Sequence, residues 1–152
     1  MNRNDLLARL PALLPEAVAW AEEQERQASR LGRPLDPDEQ SLARSVSVAA
    51  PERIRLVEVS AFPLPADPAL RAAANATGLL GPGTRGLTLG HAVFLAPGGQ
   101  ADARLLRHEF RHVHQYEAAG SIKAFLTEYL TQIVNLGYRN APLEIDARLH
   151  EA

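Results

Sequence analysis

The chain contains the sequence LLRHEFRHVHQ at residues 105–115, in which His108, Glu109 and His112 form the pattern HExxH. Capping and periodicity signals predict a helix over about 102–118 around it. Residues four apart lie on one face of a helix, so both imidazoles can reach one metal ion. Glu109 lies beside that face, where its carboxylate can act on a water molecule without being a ligand. The stretch therefore predicts a metal centre with a general base next to it.

Zinc is the metal that this pattern typically holds. A bound zinc ion lowers the pKa of a water molecule to about 7, and a nearby carboxylate can remove its proton as the water attacks a carbonyl. The chain has five histidines and no cysteine, so histidines and carboxylates have to supply every ligand. The alternative interpretation is an exposed helix with two surface histidines. Leu106, Phe110 and Val113 argue against it, because their spacing predicts a buried face beside the histidines.

A third ligand has to come from outside the pattern, because catalytic zinc normally has three protein ligands. The metzincin continuation would place glycine and histidine where this chain has Gln115 and Ala118, so that class is excluded. We expect Glu144, in a predicted last helix, to supply the ligand. Asp146 and His150 stay open as alternatives, and Glu144 could instead be a first-turn acid stabilised by the helix dipole.

His114 is a third histidine close to the motif. It lies about 200° around the helix from His112, so the two side chains cannot share one ion. We expect His114 at the surface or in a supporting contact outside the ligand set.

The remaining sequence predicts an α+β fold that is mostly helical. Helical periodicity and capping signals predict further helices over 15–31, 36–46, 68–76, 121–136 and 142–151. Strands are predicted over 53–60 and 87–95, with loops rich in proline or glycine at 62–68 and 78–86. The length of 152 residues suits one domain. We expect an N-terminal helical part over 1–50 and a core over 53–152.

Composition excludes several classes of protein. With 46% hydrophobic and 22% charged residues, the chain is neither disordered nor fibrous. A net charge of −2 argues against a nucleic-acid partner. No apolar stretch approaches the ~18 residues that a membrane span needs. Charged residues and prolines interrupt the apolar run at the N-terminus, so it is a poor match to a secretion signal. We expect a cytoplasmic protein without a membrane partner, and the oligomeric state stays open.

Two stretches resemble a bacterial family of zincin-like domains found in core proteins of extracellular contractile injection systems and in small stand-alone proteins. The first reads GLTLGHAVFL at 86–95 and the second is the motif stretch at 105–115. They match a "T-x-G" strand followed by "L-L-x-H-E-[LF]-x-H-V-x-Q", and the resemblance covers about 86–117. Arg107 departs from the pattern where a small residue is common, and Tyr116 replaces a frequent glutamine.

The resemblance implies a zincin-like fold with a small sheet whose edge strand precedes the motif helix. The segment around Glu144 is similar to the downstream segment of glutamate-liganded zincins. The family therefore implies zinc on His108, His112 and Glu144, with Glu109 as general base. It also implies a metallopeptidase that acts on a peptide or protein substrate.

The predicted strand 87–95 is placed to be that edge, to which an extended peptide could add. Gly90 would allow another backbone to approach closely, and His91 could line the cleft. The alternative is an ordinary core strand with a bulge at the glycine, and for His91 a position on the strand surface. Tyr138 could donate a hydrogen bond to the oxyanion of the reaction, or simply pack beside a turn.

A catalytically silent binding module on the same scaffold is the alternative function. The intact Glu109 favours the enzyme, because holding zinc alone does not require that residue. A DNA-associated zincin is a third interpretation, which the net charge and the lack of a basic stripe disfavour.

Overall fold

Six helices and four short strands make up the chain, and the computed structural model describes residues 1–152. The helices are α1 (Arg3–Leu31), α2 (Pro37–Ser45), α3 (Pro68–Thr77), α4 (Ala103–Ala119), α5 (Ile122–Leu136) and α6 (Pro142–Leu149). The strands are β1 (Arg33–Pro34), β2 (Arg55–Glu58), β3 (Gly86–Leu89) and β4 (Ala92–Leu95). This arrangement confirms the predicted α+β class with a mostly helical chain.

The four strands form one mixed sheet in the order β1-β2-β4-β3. β2 runs parallel to β4, and the other two pairs are antiparallel. β3 therefore lies at an edge of the sheet, shortly before the motif helix α4. An edge strand in this place was predicted, and the sheet order confirms it for residues 86–89.

The prediction of one continuous strand over 87–95 is wrong. The chain turns back at Gly90 and His91, so that Leu89 pairs with Ala92 across a two-residue loop. Gly90 has a φ of +65°, a left-handed conformation that glycine adopts readily and that tight hairpin turns require. A β-hairpin therefore replaces the single strand.

The sheet separates two clusters of buried side chains, because alternate residues of a strand point to opposite faces. Val93 and Leu95 of β4 lie in one cluster with Phe110 of α4. Ala92 and Phe94 lie in the other, which is built mainly from α1, α4 and α5. Helix α4 is thus packed against one face of the sheet, where its motif is held in a defined orientation.

Helix α1 begins twelve residues earlier than the predicted start at Pro15. Asn2 and Asp5 form a capping box at its N-terminus, and Pro11 and Pro15 lie inside the helix. Both prolines are exposed, so water can reach the carbonyl groups that lose their helical partners. None of the six helices combines the length and the apolar character needed to cross a membrane.

Candidate metal centre

Helix α4 holds the HExxH motif against the core. Asp102 caps the helix by accepting a hydrogen bond from the backbone N–H of Leu105. Leu106, Phe110 and Val113 are buried in the cluster under the sheet, as their spacing predicted. Because this face of α4 is buried, the neighbouring face with His108 and His112 points towards α6, which packs beside α4.

His108, His112 and Glu144 come together in one group. Each offers one ligand atom, and these atoms all lie within 4.8 Å of one another. The Nε2 atom of His108 is 3.3 Å from Oε1 of Glu144, and the Nε2 atom of His112 is 3.0 Å from Oε2. Two imidazoles and one carboxylate are a donor set that could hold a metal ion.

The surroundings of Glu144 test whether the group fits a metal. Its side chain is 1% exposed, and its Oε2 accepts a hydrogen bond of 2.8 Å from the hydroxyl of Tyr129 on α5. Its Oε1 is buried without a hydrogen-bond partner. A buried carboxylate oxygen with no partner is costly, and a bound cation would supply the missing interaction. The residues present therefore fit the metal that the motif implies.

The other ring nitrogen of each histidine is held by a neighbouring side chain. Nδ1 of His108 lies 3.1 Å from Oε2 of Glu151, and Nδ1 of His112 lies 2.8 Å from Oε1 of Gln115. Such contacts orient imidazole ligands and favour a proton on Nδ1, which leaves Nε2 free to bind a metal.

Asp146 and His150, the alternatives to Glu144, lie outside the group. Asp146 is paired with Arg111 at 2.8 Å and accepts a second hydrogen bond of 2.8 Å from the side-chain amide of Gln115. Nδ1 of His150 lies 2.8 Å from the backbone carbonyl oxygen of Asp146. Asp146 thus ties α6 to α4 in an ion pair, and Glu144 alone of the three candidates faces the histidines.

His114 also lies outside the group. Its Nδ1 is 2.9 Å from the backbone carbonyl oxygen of Ser47, in the loop after α2. His114 thus makes a contact outside the ligand set, which is one of the two locations expected for it from the helix geometry.

Glu109 is buried beside the group and is held at two points. Thr88 of β3 donates a hydrogen bond of 2.9 Å from its hydroxyl to Oε1 of Glu109. Oε2 of Glu109 lies 3.9 Å from Nε2 of His108. Gly86 leaves room for this carboxylate, because a Cβ atom there would lie 2.8 Å from its Cδ. Strand β3 thus positions the carboxylate of the motif.

Burial and mutual contact shift the pKa values of these groups. Burial raises the pKa of Glu109 above its usual range, although both histidines act against this. Burial disfavours the charged form of His112, but the carboxylate of Glu144 outweighs it and raises the pKa of His112 to about 9. Burial likewise opposes ionisation of Glu144, yet the contacts with the two imidazoles hold the pKa of this carboxyl well below its usual range. A negative charge on Glu144 is therefore favoured, as a metal ligand requires.

A cavity of about 1000 Å³ opens beside the group. His108, Glu109, His112 and Glu144 line one part of it, together with Tyr138. The Tyr138 side chain is 45% exposed, and burial of the rest, with the nearby Glu144, raises its pKa. The Tyr138 phenol therefore lies in the same cavity as the group formed by His108, His112 and Glu144.

Gly90 and His91 form the hairpin turn and do not line this cavity. The backbone N–H of His91 donates to Glu25 at 2.8 Å, and its Nε2 lies 3.0 Å from Oε2 of Glu117. His91 therefore links the hairpin turn to helices α1 and α4.

Five residues around the group were not predicted as parts of it: Gly86, Thr88, Gln115, Tyr129 and Glu151. Gln115 carried a detectable signal, because it lies three residues after His112 on the same helix. Tyr129 falls in the apolar stripe of α5 and looks like an ordinary core residue in the sequence. Thr88 and Glu151 reach the motif through tertiary packing, across 21 and 43 residues of chain.

Comparison with known proteins gives one match. Residues 59–120 match the family model of the eCIS core domain, a segment that includes the hairpin and the whole HExxH motif. No curated protein and no solved structure matches the chain. The match confirms the resemblance seen in the sequence: over residues 59–120, this chain is similar to the core domain of extracellular contractile injection systems.

Proposed function

We propose that this protein is a zinc-dependent metallopeptidase. The observation that carries the proposal is the buried, unpartnered Oε1 of Glu144 beside the two histidines of an HExxH motif. His108, His112 and Glu144 would hold the ion. When bound there, zinc would act as a Lewis acid that makes water a nucleophile near neutral pH.

The role of Glu109 in this proposal is that of general base. The hydrogen bond from Thr88 holds one carboxylate oxygen, and the other is turned towards His108 and the cavity. A raised pKa makes the Glu109 carboxylate a stronger base, so a proton taken from water can be held and passed on to the leaving amine. Tyr138 lines the same cavity, and its hydroxyl would donate a hydrogen bond to the oxyanion of the scissile carbonyl.

A peptide or protein substrate would lie along β3 in this proposal. β3 is an edge strand, and Leu87 and Thr88 line the cavity that also contains the histidines. An extended chain can pair with such an edge through backbone hydrogen bonds. The substrate-binding role expected for Gly90 and His91 moves to these strand residues, because the turn lies outside the cavity.

The test combines metal analysis with the Glu109→Gln variant. We expect the wild-type protein to carry one zinc ion per chain and to cleave members of a mixed peptide library. Glu109→Gln should keep the zinc and lose cleavage by at least a hundredfold, because the amide cannot accept the proton. A wild-type protein without zinc, or a variant that cleaves as fast as wild type, would refute the proposal.

The match to a core domain also favours a second function, that of a binding module in a larger assembly. Such a module would keep the metal-binding group for stability and would not cleave its partner. Peptides from the same library that bind to the zinc-loaded protein and stay intact would decide for this alternative.

A further inference from the structure

The cavity beside the metal-binding group extends far beyond it, into the space between α1, α3 and α5. All six buried residues of the core cluster between these helices line the cavity: Leu6, Leu13, Ala17, Leu70, Ala73 and Val134. The cavity of about 1000 Å³ that His108 and Glu144 line therefore continues between these helices. Ordinary protein interiors contain few voids larger than a water molecule.

The cavity has the size and the lining of a ligand site. Pockets for small organic ligands are typically about 300–1000 Å³ and mostly apolar, with a few polar groups at one end. Here 21 of the 39 lining residues are hydrophobic, and none of the lining residues on α1 and α3 carries a charge. The arrangement suits an elongated ligand with a polar head near His108 and Glu144 and an apolar tail among the helices.

The walls of the cavity far from His108 and Glu144 indicate whether the tail of the ligand is an alkyl chain or a peptide. The loop over residues 78–85 lines part of the cavity, and α1, α3 and α5 supply the walls between which the core cluster lies. Within these helices the backbone N–H and carbonyl groups are paired, except at the helix ends and at the carbonyl groups that lose their partners to Pro11 and Pro15. A peptide backbone buried there would lack hydrogen-bond partners, which is costly. The indole N–H of Trp20 is the one buried side-chain donor along these walls without a partner. An alkyl chain needs no such partners.

We propose that the apolar part of this cavity binds a linear acyl chain of a fatty-acid type. This inference rests on the proposed function for the bond that is cut: the substrate is a peptide whose amide nitrogen carries a long-chain acyl group. Water adds to the acyl carbon, the C–N bond breaks, and the nitrogen takes the proton that Glu109 received from that water. The products are a fatty acid and an amine. Binding of the chain itself needs neither metal nor catalysis.

The test measures binding to the metal-free full-length protein, so its outcome does not depend on hydrolysis. Trp20 is the only tryptophan and lines the cavity, so its fluorescence reports occupancy. We expect cis-parinaric acid, a fluorescent C18 fatty acid, to bind and to accept energy from Trp20. Saturated fatty acids from C8 to C14 should displace it about fourfold more tightly per added methylene until the cavity is filled.

Two matched substitutions test whether the fatty acid binds in this cavity. Ala73→Phe fills the cavity between the helices and should weaken fatty-acid binding at least tenfold, whereas Ala118→Phe on the exposed side of α4 should leave it unchanged. If circular dichroism shows that Ala73→Phe is unfolded, the same loss is required of Ala74→Phe at a half-buried lining position. Equal binding by the cavity and control variants would overturn the proposal. So would affinities that do not depend on chain length, or a capped apolar peptide that displaces the probe better than any fatty acid.

Discussion

The carboxylate of Glu109 has its position set by single atoms of β3. The Thr88 hydroxyl donates to it, and the missing side chain of Gly86 gives it room. Both residues belong to a strand that pairs with β4 and is therefore held rigidly. At the scale of single residues, the position of the proposed general base depends on the edge strand as much as on its own helix.

Thr88→Val should impair catalysis without impairing metal binding. The substitution keeps the shape of the side chain and removes the hydrogen bond to Glu109, and a hydrogen bond to a charged group contributes about 1.5–3 kcal/mol. We expect kcat/KM to fall roughly tenfold to a hundredfold, with zinc affinity unchanged. Thr127→Val, at an exposed position of α5, is the control. Unchanged kcat/KM in Thr88→Val would show that Thr88 does not position the base.

Tyr129→Phe should instead lower the affinity for zinc. The Tyr129 hydroxyl donates to Oε2 of Glu144, and loss of a group that orients a metal ligand typically lowers metal affinity about 10–100-fold. We expect a loss in this range in a zinc competition titration. Tyr138→Phe is the matched control, because Tyr138 lines the cavity and is expected to affect kcat instead. Equal zinc affinities for Tyr129→Phe and wild type would contradict this account of Glu144.

At the scale of elements, the hairpin β3–β4 carries the edge strand and depends on its turn. Gly90 has a positive φ, and a Cβ atom there would overlap the carboxylate of Glu25. Gly90→Ala should therefore lower the free energy of unfolding by about 1–3 kcal/mol, measured by denaturant titration. Gly83→Ala is the control, because a Cβ atom at position 83 would meet nothing within 4 Å. Similar stability of the two variants would show that the turn tolerates a side chain.

Helix α4 is also tied to its surroundings through Glu117. Burial alone would raise the pKa of Glu117, but hydrogen bonds from the backbone N–H groups of Ala49 and Ala50 and from His91 hold it below its ordinary value of 4.5. A carboxyl group with a lowered pKa stabilises the fold above its unfolded pKa. This stabilisation is lost as the pH falls through the folded pKa.

Glu117→Gln should therefore weaken the dependence of stability on acid pH. Between pH 6 and pH 3, the free energy of unfolding of the wild-type protein should decrease more than that of the variant. Denaturant titrations of the metal-free proteins at several pH values measure the difference. Parallel pH profiles for the two proteins would show that Glu117 does not contribute in this way.

Local spacing was enough to predict much of the molecule. Contacts within two turns of one helix determine the motif helix, its buried face and the pairing of His108 with His112. The choice of Glu144 over Asp146 needed the structure, because only packing decides which face of α6 meets α4. The hairpin was missed because a glycine within an apolar run also suits a bulge in one continuous strand, although glycine at the first central position is typical of type II′ turns. The early start of α1 was missed because proline typically marks the first turn of a helix, whereas Pro11 and Pro15 lie inside α1 and face water.

At the scale of the whole molecule, the candidate metal centre joins α4 to α6. His108 and His112 lie on one helix and Glu144 on the other, 32–36 positions further along the chain. An ion held there would connect the motif helix to the C-terminal helix, and Asp146 with Arg111 forms a second link between them. Metal binding and the docking of α6 are therefore expected to be coupled.

The most direct test of the central claim is a zinc competition titration of wild type, Glu144→Ala and Asp146→Ala at pH 7. We predict one tight site per chain in wild type, a loss of affinity of at least a hundredfold in Glu144→Ala, and a clearly smaller loss in Asp146→Ala. Wild-type protein that binds no zinc, or equal losses in the two variants, would contradict the assignment of His108, His112 and Glu144 as the metal centre.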